Sequence, residues 1–201
     1  MYKEKTKLVV TQSQFEKLEE YVKLIEFNNK HFNLTGFSGD ILWKEGVFES
    51  ISTMNFIVKM IKGDKNELKK VKILDIGSGA GFPSIPFLIA NPEIDLTISE
   101  SMQKRCRFLK DVSEKLAIKF TLICKPVQEI NNKNFDIITA RAVANLEKLD
   151  QITRKFQSPK TNLAFIKGPK VFDEAKSCKN CNYQIIEFIN NLDKKIYIAT
   201  K

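Results

Sequence analysis

Two rhythms of apolar residues divide the chain. From about residue 11 to 62 the apolar positions recur every three or four residues: Phe15, Leu18, Tyr21, Val22 and Ile25 mark one face, and Ile51, Met54, Ile57, Val58 and Ile61 another. That spacing predicts two amphipathic helices. Ser13 and Glu16 stand in the S-x-x-E arrangement of a capping box and predict the first helix start. Its end is expected near Asn28 to Lys30, before the turn-forming segment HFNLTGFSGD (31–40). The polar stretch KGDKNELKK closes this part. It sets an expected boundary between an N-terminal helical subdomain, 1–68, and a second domain, 69–201.

From Val71 the rhythm shortens. The runs VKILDI (71–76), DLTIS (95–99), KFTLIC (119–124), FDIITA (135–140) and NLAFIK (162–167) read as buried strands separated by helical stretches. Such alternation predicts a doubly wound α/β fold with a parallel sheet. At the end of the chain, YQIIEFI and KIYIAT are separated only by NNLDK, too short for a crossover helix. The pair is therefore a hairpin, and the last strand is expected to run antiparallel.

Composition narrows the class. Of 201 residues 43% are apolar, enough for a full core. The charged N-terminus lacks the apolar run of a signal peptide, and no segment approaches the roughly 20 apolar residues that span a bilayer. A cytoplasmic protein without membrane partners is expected. The four cysteines, Cys106, Cys124, Cys178 and Cys181, are too few for a disulfide framework, so reduced thiols are expected. Cys178 and Cys181 form a lone C-x-x-C and His31 is the only histidine, which leaves a zinc site short of ligands; no metal is expected. The net charge of +9 suits a polyanionic partner such as nucleic acid.

The candidate chemistry lies in ILDIGSGAGFP (73–83), directly after the first strand. In doubly wound sheets the ligand lies at the carboxyl ends of the strands, and the first βα loop is the usual site. Gly77, Gly79 and Gly81 would let that backbone take positive φ and let a ligand approach closely. A phosphate loop would need G-K-[ST], but Phe82 and Pro83 follow the glycines. A dinucleotide fingerprint would need a third glycine where Phe82 stands. Pro83 fits the start of the next helix and Pro86 the end of its first turn. What remains is D-x-G-x-G-x-G, Asp75 to Gly81, followed by Glu100 at the end of the second strand, whose carboxylate can accept from both hydroxyls of a ribose. This arrangement resembles motif I of the class I S-adenosylmethionine-dependent methyltransferases. The implied fold is Rossmann-like: a mostly parallel seven-stranded sheet with an antiparallel last strand, plus N-terminal helices.

The resemblance extends along nearly the whole chain. NKHFNLTG (29–36), ILDIGSGAGFPSIP, ESMQKRCRFLKDV (100–112), ITARAVANL (138–146) and FIKG (165–168) are similar in order and spacing to the blocks of the 16S ribosomal RNA guanine-N7 methyltransferase G family, also called the glucose-inhibited division protein B family. That resemblance implies S-adenosylmethionine as cofactor and 16S rRNA or the small ribosomal subunit as partner. The acceptor it implies is N7 of a guanine, the one at rRNA position 527. Its cofactor contacts fall on Gly77 and Phe82, on Val127 and Gln128 after the third strand, and on Arg141 after the fourth, beside Gly79, Gly81 and Glu100 of the motif. Arg141 suits either the methionine carboxylate or an RNA phosphate. Two positions depart from the family pattern: Gln128 stands where Glu is common, and Gly46 where His is frequent.

Lys104, Arg105, Arg107 and Lys110 stand near the start of the helix after Glu100 and are candidate phosphate contacts; the same residues would also suit a solvated helix face. The chain has no [DN]-P-P-[FY] block for amine methylation and no catalytic cysteine pair for attack at a pyrimidine carbon. Guanine N7 carries a lone pair and no proton, so no catalytic acid or base is assigned. Two rival readings remain open from the sequence: a class I methyltransferase acting on another RNA, a protein or a small molecule, and a non-catalytic RNA-binding S-adenosylmethionine sensor. A monomer is expected.

Overall fold

The computed structural model describes residues 1–63, 71–131, 134–178, 181–190 and 194–201. The expected domain boundary at 68/69 falls outside the described residues.

A short first helix, α1 (Tyr2–Lys7), has no counterpart in the apolar pattern, because Thr6 is its single buried residue. The next, α2 (Gln12–Asn29), starts earlier than Ser13 and Glu16 suggest. Thr11 is extended (φ −72°, ψ 162°) and is the N-cap. Its hydroxyl accepts from the Gln14 N–H at 3.3 Å, and the Gln14 side chain accepts from the Thr11 N–H at 2.8 Å. The capping box is thus Thr11 and Gln14; Ser13 is already helical, and Glu16 accepts from the Gln12 amide. After α3 (Gly39–Ile41) the chain widens into a π-helical stretch, Leu42–Phe48, which continues into α4 (Glu49–Lys62). Gly46 lies in the wide stretch because a Cβ there would meet the Phe82 ring at 2.7 Å. Absence of a side chain lets the helix lie directly on the glycine loop.

The remaining elements alternate: β1 (Lys72–Ile76), α5 (Ser84–Ala90), β2 (Asp95–Ser99), α6 (Gln103–Leu116), β3 (Thr121–Ile123), β4 (Ile137–Arg141), α7 (Leu146–Thr153), β5 (Asn162–Lys167), α8 (Val171–Ser177), β6 (Gln184–Ile189) and β7 (Lys195–Thr200). Among the described residues seven strands form one sheet in the order β3-β2-β1-β4-β5-β7-β6. β1 pairs in parallel with β2 on one side and β4 on the other, so the chain changes direction of winding at β1. Such a point leaves a crevice at the strands' carboxyl ends. β7 inserts between β5 and β6 and runs antiparallel to both, as the hairpin reading requires.

Successive strand residues face opposite layers. Ile73 enters a core shared with α2, α4, α5 and α6, while Leu74 and Ile76 enter a second core with α7 and α8. Leu18, Ile25, Met54 and Ile57 of the N-terminal helices are fully buried in the first of these. Truncating any one to Ala would cost about 2–5 kcal/mol, so these helices are packed on the sheet and fix what lies above it. Cys178 and Cys181 are joined by a disulfide with Cα atoms 5.3 Å apart. The expectation of reduced thiols is corrected for this pair, whose members stand three positions apart in the sequence; Cys106 and Cys124 are free thiols. Among the described residues no helix is long and apolar enough to cross a membrane.

Candidate active site

The three glycines of the β1–α5 loop all have positive φ, 67° at Gly77, 61° at Gly79 and 101° at Gly81. Their surroundings differ. At Gly81 a Cβ would strike Ile85 at 2.6 Å and the Tyr21 hydroxyl at 2.8 Å, and at Gly77 it would press on Val143 at 3.0 Å. Those two glycines permit close packing of protein on protein. Gly79 is open: its Cβ position meets only the Arg105 guanidinium, at 3.9 Å. The loop is lashed down on either side, by the Gly77 N–H donating to Ser99 O at 2.7 Å and by the Tyr21 hydroxyl donating to Ala80 O at 2.6 Å. Phe82 is buried, its ring packed against Tyr21 and Phe37.

Beside the open glycine lies Glu100, whose side chain is 3% exposed. One carboxylate oxygen accepts from the Gly79 N–H at 3.1 Å and the other from the Met102 N–H at 2.9 Å. Each oxygen keeps a lone pair for a further donor. Arg105 hovers over the same carboxylate at 3.9 Å, and its Nε is buried without a hydrogen-bond partner among the described residues. The neighbouring turn is fixed to this corner, since the Ser99 hydroxyl donates to Lys125 O at 2.9 Å and the Glu100 N–H to Ile123 O at 3.1 Å. There Val127 is buried and Gln128 exposed. Lys104, Arg107 and Lys110 are also exposed, on the outer face of α6, while Phe108 belongs to the core. Of the four basic residues expected to face phosphates, Arg105 alone is drawn toward Glu100.

Below the loop, Asp75 is wholly buried and accepts from the Ser84 hydroxyl at 2.5 Å. Its other oxygen and the Ser78 hydroxyl have no hydrogen-bond partner among the described residues. Burial pushes the Asp75 carboxyl up to about 7, with the Glu100 charge adding to the rise and Ser84 and Arg141 opposing it.

Arg141, at the end of β4, is held by protein groups. It donates to Glu49 at 2.9 Å, to Glu45 O at 3.0 Å and to the Ser50 hydroxyl at 3.4 Å, and lies over the Phe37 ring. Lys194 shares the Glu49 carboxylate with Arg141, at 2.8 Å, and also pairs with the Glu45 carboxylate at 3.1 Å. Lys167 holds the β4–α7 loop by donating to Ala144 O at 2.8 Å and pairing with Glu174 at 2.7 Å; Glu174 in turn accepts from the Leu146 N–H. A cleft of about 480 Å³ opens among these residues.

Glycine loop, Glu100 and the Val127 turn therefore meet at one corner of the sheet, and Arg141 stands at the next. Sequence reasoning missed Tyr21, Glu45, Glu49, Glu174 and Lys194. Lys167 stood inside FIKG, and its position after a strand was a readable signal; nothing local ties Lys194 to acids some 149 residues earlier.

The strand order, the glycine loop after β1 and the acid closing β2 define a class I methyltransferase fold. Solved structures of that fold superpose on the chain: a magnesium protoporphyrin IX methyltransferase from Synechocystis PCC 6803 (TM-score 0.57, 12% identity, 95% of this chain and 97% of that one) and an S-adenosylmethionine-dependent methyltransferase from Aquifex aeolicus (TM-score 0.54, 15% identity, 82% of this chain and 97% of that one). Within the class, the chain belongs to the rRNA small subunit methyltransferase G family, which matches residues 14–194. The ribosomal RNA small subunit methyltransferase G of Mesomycoplasma hyopneumoniae strain J is 71% identical over 201 residues, covering 100% of this chain and 98% of that protein. That of Clostridium perfringens strain SM101 is 33% identical over 178 residues, covering 84% and 70%.

Proposed function

We propose that the chain transfers a methyl group from S-adenosylmethionine to N7 of a guanine in 16S rRNA, at rRNA position 527. Family membership supports the substrate. The observation that carries the cofactor is the open face of Gly79 beside the buried Glu100 carboxylate. A side chain would fill that cradle, and the acid has acceptor capacity for a ribose diol. The Asp75 and Ser78 oxygens without partners among the described residues are acceptors for an ammonium group, so the acceptor set fits the molecule.

When bound, S-adenosylmethionine supplies a methyl group on a sulfonium. The residues of the chain bind and orient. Glu100 takes the ribose hydroxyls, Gly77, Gly79 and Gly81 give the backbone room, and Val127 and Gln128 offer an N–H and an amide to the adenine edge. Phe82 stiffens the loop from behind, and Arg141 fixes the floor next to it. Guanine N7 has a lone pair and no proton to lose, so no residue need act as a base. Alignment of the lone pair opposite sulfur accounts for about 7–11 kcal/mol of barrier reduction at best. The reading includes a helical subdomain over 1–68, a methyltransferase domain over 69–201, a monomeric state and work in the cytoplasm.

The test is methylation of transcribed 16S rRNA and of small subunits, with 23S rRNA, tRNA and protein as controls. Label should enter 16S rRNA alone, and borohydride with aniline should break the product strand at the methylated base. A 7-deazaguanosine transcript, which lacks the nucleophilic lone pair, should accept no methyl. Transfer that persists on it, or a methyl on an amine or a ribose, overturns the assignment.

A further inference from the structure

We propose, independently of the rRNA reading, that a cavity between the start of α2 and the ends of α5 and α6 is a second ligand site, which takes a phosphomonoester with a small apolar body. The cavity, of about 350 Å³, is lined by the first two turns of α2, the end of α5 and the α6–β3 turn. Pro92 in its wall precedes β2 and Lys119 precedes β3, so it lies at the strands' amino ends, opposite the glycine loop. The three helices nevertheless reach the cofactor corner. α2 does so through Tyr21 on Ala80 O, α5 through Ser84 on Asp75, and α6 through the Cys106 thiol, which donates to Glu100 O at 3.2 Å.

The walls are built and held. Gln14 joins α2 to the end of α5, its amide donating to Ala90 O at 2.9 Å while its oxygen accepts from the Thr11 N–H. The α6–β3 turn is closed on itself, with the Ile118 N–H donating to Ser113 O at 3.1 Å and the Ser113 hydroxyl to Ile118 O at 2.7 Å. Leu88, Ile89, Pro92 and Ile118 give an apolar lining on which a ring or short alkyl body can rest. The volume stands at the small end of the roughly 300–1,000 Å³ of small-molecule sites.

Charge and hydrogen-bonding capacity identify the head group. Among the described residues no carboxylate lines the cavity, and its charged groups are Lys17 and Lys119. The acids on the flanking segments are Glu16, Glu93, Asp95 and Glu114. All four are exposed, and neither lysine forms an ion pair among the described residues. The Gln14 amide is spent on Ala90 and Thr11. The Thr11 hydroxyl accepts from the Gln14 N–H and keeps its proton, and Ser13 has a hydroxyl proton too. The side chains left to a ligand, two hydroxyls and two ammonium groups, can therefore all donate. Such a set suits a head group that only accepts. A phosphomonoester carries about −1.5 to −2 at pH 7 and answers both lysines, where a carboxylate would leave one uncompensated.

The experiment titrates phenyl phosphate, phenol and inorganic phosphate into the full chain, with affinity read by calorimetry and location by backbone amide NMR. The variants are the double reversal Lys17→Glu with Lys119→Glu, the double replacement Lys17→Arg with Lys119→Arg, and Lys160→Glu. Lys160 is exposed at the amino end of β5 and reports the loss of general charge. Phenyl phosphate should saturate the site and bind about tenfold or more tightly than phenol or phosphate, since neither supplies both the apolar body and the charge. Its shifts should fall on Ser13, Lys17, Leu88 and Ile118. The double reversal should weaken it about tenfold or more, because both charge-assisted bonds are lost. The double arginine variant should retain it, glutamate at 160 should leave it unchanged, and S-adenosylmethionine affinity should be unaltered in all three. Equal binding of the three compounds, shifts confined to the glycine loop or to the cleft beside Arg141, or equal losses from the double reversal and from Lys160→Glu overturn the site.

Discussion

At the scale of single residues, the three alternate glycines separate into different physical roles. Two are places where protein crowds the backbone, and one faces an opening. Gly79→Val should therefore weaken S-adenosylmethionine binding by roughly a hundredfold or more, because a β-branched residue resists φ near +60° and its methyls would stand in the cradle. Calorimetry on a variant whose circular dichroism is native decides it; unchanged affinity would remove the loop from the site. Asp75 gives a pH signature. Its folded pKa of about 7 lies above the ordinary 3.8, so the native state holds a proton that the unfolded chain has released. The contribution is complete below about pH 3.8 and is lost as pH rises toward 7. Asp75→Asn should flatten that fall, measured as the urea midpoint from pH 5 to 8; an unchanged profile would place the titration elsewhere. The glycines and Glu100 were legible because their spacing is local. Arg141 was legible as an important cation, but its engagement by Glu45 and Glu49 was not, since those acids lie on another element.

Among elements, the N-terminal helices do more than cover the sheet. Tyr21 of α2 supports the glycine loop, and the π-helical stretch with α4 supplies the Glu49 carboxylate, which holds both Arg141 of β4 and Lys194 before β7, and Glu45, whose carbonyl accepts from Arg141 and whose carboxylate pairs with Lys194. Breaking a buried pair by removing one partner typically costs about 3–5 kcal/mol, because the other charge is left stranded. Glu49→Ala should lose stability of that order in urea melts, with Glu49→Gln losing less because the amide oxygen still accepts. A loss no larger than that of an exposed acid would show the pair to be ornamental. Strand positions were readable from apolar runs to within two residues, and the hairpin from the short connection. The wide turn at Leu42–Phe48 and α1 were not readable: one depends on Phe82 pressing against Gly46, the other on packing of a polar segment. The first helix start was misplaced because two cap-like signatures overlap and only the backbone at Thr11 chooses between them.

For the whole molecule, the surplus of positive charge is not spread evenly around the candidate site. Lys104 and Arg107 face solvent on α6, whereas Arg105 turns inward. Reversing Lys104 and Arg107 together should lower the salt slope of RNA binding by about 1.4, at 0.7 per phosphate contact, with cofactor affinity unchanged; equal slopes would leave that face to solvent. Arg105 belongs to a different account. Its guanidinium occupies the approach to Glu100 loosely, with one N–H unsatisfied, and ribose hydroxyls that bind the carboxylate would release it toward the face where Arg107 stands. Occupancy at the two sites is then linked: S-adenosylmethionine should raise RNA affinity, and RNA should raise S-adenosylmethionine affinity by the same factor, since such coupling is reciprocal. Affinities measured around that closed cycle should give a factor above one for wild type and one for Arg105→Ala. An alanine variant that keeps the wild-type factor would show that the arginine carries no message between them. With the coupling intact, the enzyme would hold RNA most tightly when it is loaded to modify it and loosen its grip once the spent cofactor departs.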